Sequence, residues 1–332
     1  MPNPKKTSPH ITTDLLSSFI DMARFAPSSH NTQPWRVRIE SDKIVVGFDP
    51  ERHLRVGDPE KRELYISLGA FIETIAQAAL EVGWQCSCSI EDEPPGKVAR
   101  LSFEKIGRES GASSLAKYIT KRRSDRRHYS SKQIPAGVRS ELDKLAIGNA
   151  ELVIVDTARE IEFLANATHE ATLSVMSDKA FRTELSDWVR NNWTRRHDGM
   201  PGYTQGMPGP VSLLAKVVVK NVKGVAKDQA KKDSARVKHS AAIGLVCATG
   251  DSVGDWVDAG RIYQRACLLG LHHNIQTSAV SAAVIVPGTA TRIRKEFALE
   301  RDAVALIRFG YHAGKLPKAA PRRKTADIII SS

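Results

Sequence analysis

Cysteine is scarce in this sequence: Cys86, Cys88, Cys247 and Cys267 are its four thiols in a chain of 332 residues. So few at that length exclude the disulfide framework of a small secreted domain. Cys86 and Cys88 would share one face of a strand, but no further ligand stands near them to complete a metal site. The thiols read as packing residues in a reducing compartment. Long apolar runs are missing too. No stretch offers ~18 consecutive apolar residues, so no membrane-spanning helix is predicted. The N-terminus, MPNPKKTSPHITTD, carries charge with no apolar run behind it, which predicts no signal peptide and a cytoplasmic protein. Negative charge is in deficit, with 37 Asp and Glu against 49 Lys and Arg and a net charge of +12. That balance favours anionic partners, whether nucleic acid, acidic lipid or a phosphate-bearing cofactor.

What is present is enough for one large domain or two ordinary ones, 41% of it hydrophobic. Thr12, Thr13 and Asp14 can cap a helix over residues 15–25, which Ala26-Pro27-Ser28-Ser29 stops. Alternation predicts a strand pair over 35–40 and 43–49. A mostly apolar helix over 65–83 should be buried all round. Strands over 84–91 and 97–106 are joined by Pro94-Pro95-Gly96. A second set follows, with helices over 115–122 and 136–147, a strand over 150–156 and a helix over 157–173. Residues 198–210 form a glycine- and proline-rich loop, long enough to be functional or disordered. Residues 211–238 are basic and amphipathic. A helix over 255–274, a strand over 277–286 ending at Pro287-Gly288, a helix over 289–299 and a strand over 303–311 close the chain.

Two of these helices look alike. Residues 64–83 carry Gly69-Ala70 near the start and Gly83 at the end; residues 256–271 carry Ala259-Gly260 and Gly270. A helix and then a strand precede each. The pattern reads as a duplicated α+β unit, with halves at 1–112 and 113–332, or as two core helices that converged on Leu, Ala and Gly.

Two segments carry chemistry. Residues 26–35, APSSHNTQPW, place hydroxyl and amide groups in a tight loop that suits a polar heterocycle, or is an ordinary helix stop. Residues 121–128, KRRSDRRH, cluster guanidiniums beside a serine, which suits a phosphate through bidentate bonds, or is a solvated basic run. A nucleic-acid surface would want stacking aromatics, and Tyr129 alone is near.

Together these segments resemble the nitroreductase superfamily. APSSHNTQPW looks like its A-P-S-x-x-N-x-Q-P-W loop, and Arg122-x-Ser124-x-Arg126 like its R-x-S-x-R flavin-phosphate segment. Pro321-Arg322-Arg323 ahead of ADIII resembles its closing basic pair. The resemblance covers most of the chain and implies an α+β, nitroreductase-like fold. In that family the arginine segment precedes the loop, and the site lies between two subunits of an intertwined homodimer. Here the loop comes first and neither motif recurs. That order is similar to the tandem, single-chain (Acg-type) branch, in which one chain mimics the dimer and one site keeps all its parts.

The resemblance implies one FMN. Arg122, Ser124 and Arg126, with Arg322 and Arg323, would hold its phosphate and ribityl end, and Arg123 could share this. Pro27, Ser28, Ser29 and Asn31 would meet the ring or ribityl groups. Pro287 and Gly288 would offer backbone N–H near N5. No catalytic acid or base is required, because the flavin does the redox chemistry. The implied activity is hydride transfer from NAD(P)H through the flavin to a nitroaromatic, quinone or similar acceptor. The alternative is a flavin-sequestering or stress protein with little turnover. Residues 198–210 are expected to act as a lid, with Met200, Tyr203 and Met207 over the ring. The stretch 211–238, with Lys216, Lys220, Lys223, Lys227, Lys231 and Lys232, is expected to be a solvated helix packed on the fold; lying on anionic lipid is the other reading. A monomer or loose homodimer is expected.

Overall fold

Helix α1 (Thr13–Ala23) begins where the Thr12 hydroxyl accepts from the Leu15 N–H, and it buries Leu16, Phe19, Ile20 and Ala23. The computed structural model describes residues 10–93, 96–106, 114–222 and 224–330. After α1 come the hairpin β1 (Trp35–Glu40) and β2 (Lys43–Phe48), helix α2 (Arg62–Glu81), and strands β3 (Trp84–Glu93) and β4 (Lys97–Lys105). Then follow α3 (Ala136–Asp143), β5 (Ala146–Ile147), β6 (Ala150–Val155), α4 (Ala158–Ser177), α5 (Lys179–Trp188), β7 (Val189–Arg190) and β8 (Met200–Pro201). The chain ends with α6 (Gly209–Asn221), α7 (Val225–Lys238), β9 (Ala242–Ala248), α8 (Val253–His272), β10 (Gln276–Ala279), α9 (Ala282–Ile285), α10 (Pro287–Glu296) and β11 (Asp302–Gly310). The fold is α+β, as the sequence predicts.

Two antiparallel sheets share the chain. The first has the order β1-β2-β4-β3 and the second β10-β11-β9-β6-β5. Counted from β6, the second runs β6-β9-β11-β10, the same order as the first, with β5 added at its edge. A long helix follows the second strand in each: α2 after β2, and α8 after β9. Between β1 and β2 the chain turns at once, through Ser41 at φ 56°. Between β6 and β9 it instead makes four helices, α4 to α7.

Helices α2 and α8 pack on each other at the centre. Their backbones meet at Gly69 and Gly260. A Cβ at Gly69 would fall on the Val257 carbonyl oxygen, and one at Gly260 on that of Ile66. Leu68, Ile72, Ile75, Ile262, Ala266 and Leu268 are all fully buried around this crossing. Some of the polar groups caught there are paired: Gln264 Nε2 donates to Thr74 Oγ1 at 3.0 Å, and Arg265 Nε to Glu73 Oε1 at 2.7 Å, while Gln264 Oε1 and Glu73 Oε2 are buried without a hydrogen-bond partner.

Two further strands of backbone tie the sheets to distant segments. Val37 on β1 donates to Ile328 O and accepts from Ile330 N–H, so the C-terminal tail lies along the first sheet. Ser124 bridges Thr277 on β10, and Asp125 N–H donates to Thr277 O at 2.9 Å.

Several local expectations change. Residues 116–121 form a 3-10 helix rather than an α-helix. The β-branched run 277–286 leaves the sheet after Ala279 and makes the single turn α9, because Ala283 and Val284 bury against α4. Residues 198–210 are folded, holding β8, a 3-10 turn over 202–205 and the start of α6. Strand β9 and helix α5 carry no sequence signal read above. Every residue of β9 is buried, so its apolar run lacks the alternation that marks a half-exposed strand. The Pro94-Pro95 turn and Lys223 lie outside the described residues.

The crossing makes a direct prediction. Gly69→Ala should cost about 3 kcal/mol in urea unfolding, because the added carbon meets backbone that has nowhere to go. Gly137→Ala, on the exposed face of α3 with open space about it, should instead gain up to about 1 kcal/mol.

Candidate functional site

The loop after α1 holds an unusual backbone. His30, Asn31 and Gln33 have φ of 50°, 56° and 51°, values that non-glycine residues adopt only when their surroundings fix them. Here the fixing bonds come from far along the chain. Asn31 Nδ2 donates to Gly199 O at 2.9 Å and to Pro321 O at 3.1 Å. Gln33 Nε2 donates to His197 O at 2.8 Å, and its Oε1 accepts from Arg323 N–H at 2.8 Å. Ser28 Oγ accepts from Gln33 N–H at 2.9 Å. The loop therefore joins α1, the segment before β8 and the C-terminal tail at one point.

Beside it lies a cavity of about 340 Å³. Pro27, Ser28 and Ser29 form one wall with Asp58, Glu63 and Ser67 at the start of α2. Ser124, Arg126, Tyr263, Arg308 and residues 278–282 line it as well. Phe181, Met200, Met207 and Val219 cover it, and Gln229, Asp233 and Arg236 enter from α7. Arg236 pairs with Asp233 at 2.8 Å. Arg126 donates to Thr204 O at 3.3 Å and has no carboxylate partner among the described residues. Burial and the neighbouring Arg236 hold its pKa below the usual arginine value.

A second cationic cluster stands apart from this lining. Arg122 is buried, and Arg322 sits with Arg122 and Arg123 close enough that burial and these two charges push it down to about 9. Its bonds reach neutral acceptors: Asn31 Oδ1 at 2.9 Å and Phe25 O at 3.3 Å among them. Arg122 donates to Phe25 O, and Arg123 to Thr120 O and Arg122 O. The Nε atoms of all three are buried without an acceptor. No carboxylate pairs with any of them among the described residues. Three guanidiniums gathered together, Arg122 buried and the other two partly so, without a counter-charge are costly by themselves and suited to an anion.

Acidic groups also line the cavity. Asp58 accepts from the N–H groups of Glu63 and Leu64 at 3.1 and 2.9 Å, capping α2. Burial and the Glu63 charge push its pKa up to about 7. Ser29 Oγ donates to Glu63 Oε2 at 2.7 Å, while Glu63 Oε1 is buried with no partner. Burial and the Arg126 charge push His30 down to about 4.

The residues singled out from sequence thus separate. Pro27, Ser28, Ser29, Ser124 and Arg126 line the cavity. Arg122, Arg123, Arg322 and Asn31 assemble next to one another but outside that lining. Arg323 is a brace: it donates through Nη1 to Gln33 O and Trp35 O and through Nη2 to Asp327 O, fixing the loop's exit. Pro287 and Gly288 do not reach the site. They are exposed and open α10, since the chain has already left the sheet at Ala279; residues 278–282 stand at the cavity instead. Of the lid residues, Met200 and Met207 face the cavity, whereas Tyr203 turns its hydroxyl to Ala319 O at 3.2 Å. Gln229, Asp233 and Arg236 were missed. Their spacing of four and three puts them on one face of a helix, a signal the surrounding lysines obscured. Arg308 was missed as well, though a lone charge within the apolar run of β11 is a signal of the same kind.

No protein-family model matches the chain. A Mycobacterium tuberculosis protein provisionally named an NAD(P)H nitroreductase is 27% identical over 177 residues, covering 53% of this chain and 51% of that protein. The provisionally named NAD(P)H nitroreductase Acg of the same organism is 34% identical over 73 residues, 22% of each chain. These relatives carry the name to which the motifs point. The chain spans about half the length of the first of these relatives. The FMN-dependent nitroreductase NfnB of Mycobacterium smegmatis, solved with NADPH, aligns at a TM-score of 0.41 and 15% identity over 66% of this chain and 98% of that one, a likeness too slight to carry an argument.

The two shifted groups oppose each other with pH. Asp58, raised in the folded state, contributes stability that is full below about pH 4 and is lost as pH rises through about 7. His30, depressed, contributes stability present above its ordinary value of 6.5 and lost as pH falls through about 4. Asp58→Asn removes the first and leaves the second. In thermal unfolding of the ligand-free protein, the drop in Tm between pH 7 and pH 4.5 should therefore be larger in the variant than in the wild type.

Proposed function

We propose that this chain holds one FMN and works as an oxidoreductase, taking electrons from NAD(P)H and passing them to a nitroaromatic, quinone or similar acceptor. One observation carries the reading: the carboxylate-free cluster of Arg122, Arg123 and Arg322 stands beside a cavity that has its own unpaired cation, Arg126. A phosphate at the cluster and a heterocycle in the cavity would use both. The buried Nε atoms without acceptors are the local sign that the residues fit such a group. Provisional nitroreductase names among the relatives support the same class.

When bound, the flavin supplies two-electron redox chemistry. The chain's own residues bind, orient and exclude water. Arg122, Arg123 and Arg322 would hold the phosphate, with Asn31 fixing Arg322 through its 2.9 Å bond. Arg126, which has no carboxylate partner among the described residues, would supply positive charge to a reduced, anionic ring. Pro27, Ser28 and Ser29 pack from one half of the chain, and residues 278–282 bring backbone from the other. Met200, Met207 and Phe181 would help exclude water, with residues 198–210 acting as a lid. The division into halves at 1–112 and 113–332 belongs to the same proposal, supported by the recurring strand order of the two sheets.

Two outcomes test it. The purified protein should be yellow with released FMN, and Arg122→Ala with Arg322→Ala should weaken flavin binding about a hundredfold or more, since each charged bond is worth ~1.5–3 kcal/mol. Unchanged affinity in that double variant removes the phosphate assignment. Anaerobic NADPH should bleach the flavin colour, and a nitroaromatic acceptor should restore it. Colour that persists under NADPH would mark a flavin-holding protein instead of a reductase.

A further inference from the structure

Helix α6 is built inside out. Its inward stripe is small: Ser212 and Ala215 are buried, and Val219 meets the cavity. Its large apolar residues face outward, with Val211, Leu213, Leu214 and Val217 between 56% and 64% exposed, and Val218 and Val222 at 38% and 46%. At 100° per residue, Leu213, Val217 and Leu214 fall on the side opposite Ala215 and Val219. Trp193, itself 62% exposed, stands against the first turn at Gly209. A surface helix normally does the reverse, and contiguous exposed apolar residues of this size mark an interaction site.

The charges beside this face select the partner. Lys216 and Lys220 flank the apolar strip on one side, and Lys227, Lys231 and Lys232 follow on exposed positions of α7. Lys216 meets Asp187 at 3.1 Å; Lys220 has no acidic partner among the described residues. Apolar residues in the middle, lysines at the flank and a tryptophan at the end match the needs of a helix lying in a bilayer interface, with stems in the acyl boundary and ammonium groups at anionic headgroups. The whole-chain charge of +12 acts in the same direction.

We propose that the outward face of α6, with Trp193, docks the protein on anionic lipid bilayers as a peripheral contact, without crossing them. The helix that docks is also part of the cavity's roof, through Val219 and the adjoining Met207. Docking therefore sets the cover of the cavity against the membrane surface. This inference stands on the exposed face and its charges, whatever the cavity binds.

The test uses the full-length protein with vesicles of phosphatidylglycerol and phosphatidylcholine, or of phosphatidylcholine alone, at ~0.15 M salt. Co-sedimentation with the anionic vesicles should exceed that with the neutral ones at least tenfold. Trp193 fluorescence should shift to the blue on binding, and Trp193→Phe should remove that shift. Leu213→Ser with Val217→Ser should abolish binding while leaving Tm unchanged, since both side chains are exposed. Lys220→Glu should weaken binding to anionic vesicles. Equal sedimentation of wild type and the Leu213/Val217 variant would overturn the proposal. So would a wild-type dimer in sedimentation velocity that the same variant dissolves without any vesicle binding by the wild type; the face would then be an interface between copies of the chain.

Discussion

The crossing of α2 and α8 is the constraint on which the rest depends. Gly69 and Gly260 let two backbones touch, and each helix then carries one wall of the cavity: Glu63 and Ser67 stand at the start of α2, and Tyr263 one turn past Gly260 on α8. Helix positions fix side chains more tightly than loops do. Separating the helices by one methyl group would therefore move both walls as well as loosen the core.

Electrostatics makes the second demand. The chain spends stability gathering Arg122, Arg123 and Arg322 where water is thin and no carboxylate reaches them. The strained loop at His30–Gln33 belongs to the same arrangement, because Asn31 holds Arg322 and Gln33 is held by Arg323. A bound anion would neutralise the cluster and tie loop and tail together, so its binding would stabilise the fold. Asp58 and Glu63 add acidic groups to the same site, through Ser29 on that loop.

The four helices between β6 and β9 have no counterpart in the first sheet, where β1 turns directly into β2. They close the cavity with Phe181 and Val219, and they supply Asp233 and Arg236 from within. Packing small residues of α6 against the fold brings that helix close over the cavity. The same choice leaves its large residues outside, so the cover and the exposed apolar face are two sides of one helix.

The sequence by itself determined the α+β class, most helix and strand positions, and the types of residue at the site. Capping at Thr12, alternation in β1 and β2, and the arginine segment are local signals, and short-range physics reads them. Tertiary structure alone decided which of those residues meet. It joined Arg122 to Arg322 across 200 residues, turned Arg323 into a brace and carried Pro287 and Gly288 away from the cavity. It also brought Arg236 in from a stretch that looked like solvated surface. The reason is physical: bonds such as Asn31 to Pro321 and Gln33 to His197 join residues far apart in the chain. Their partners are chosen by packing and burial, which no local pattern of residues records.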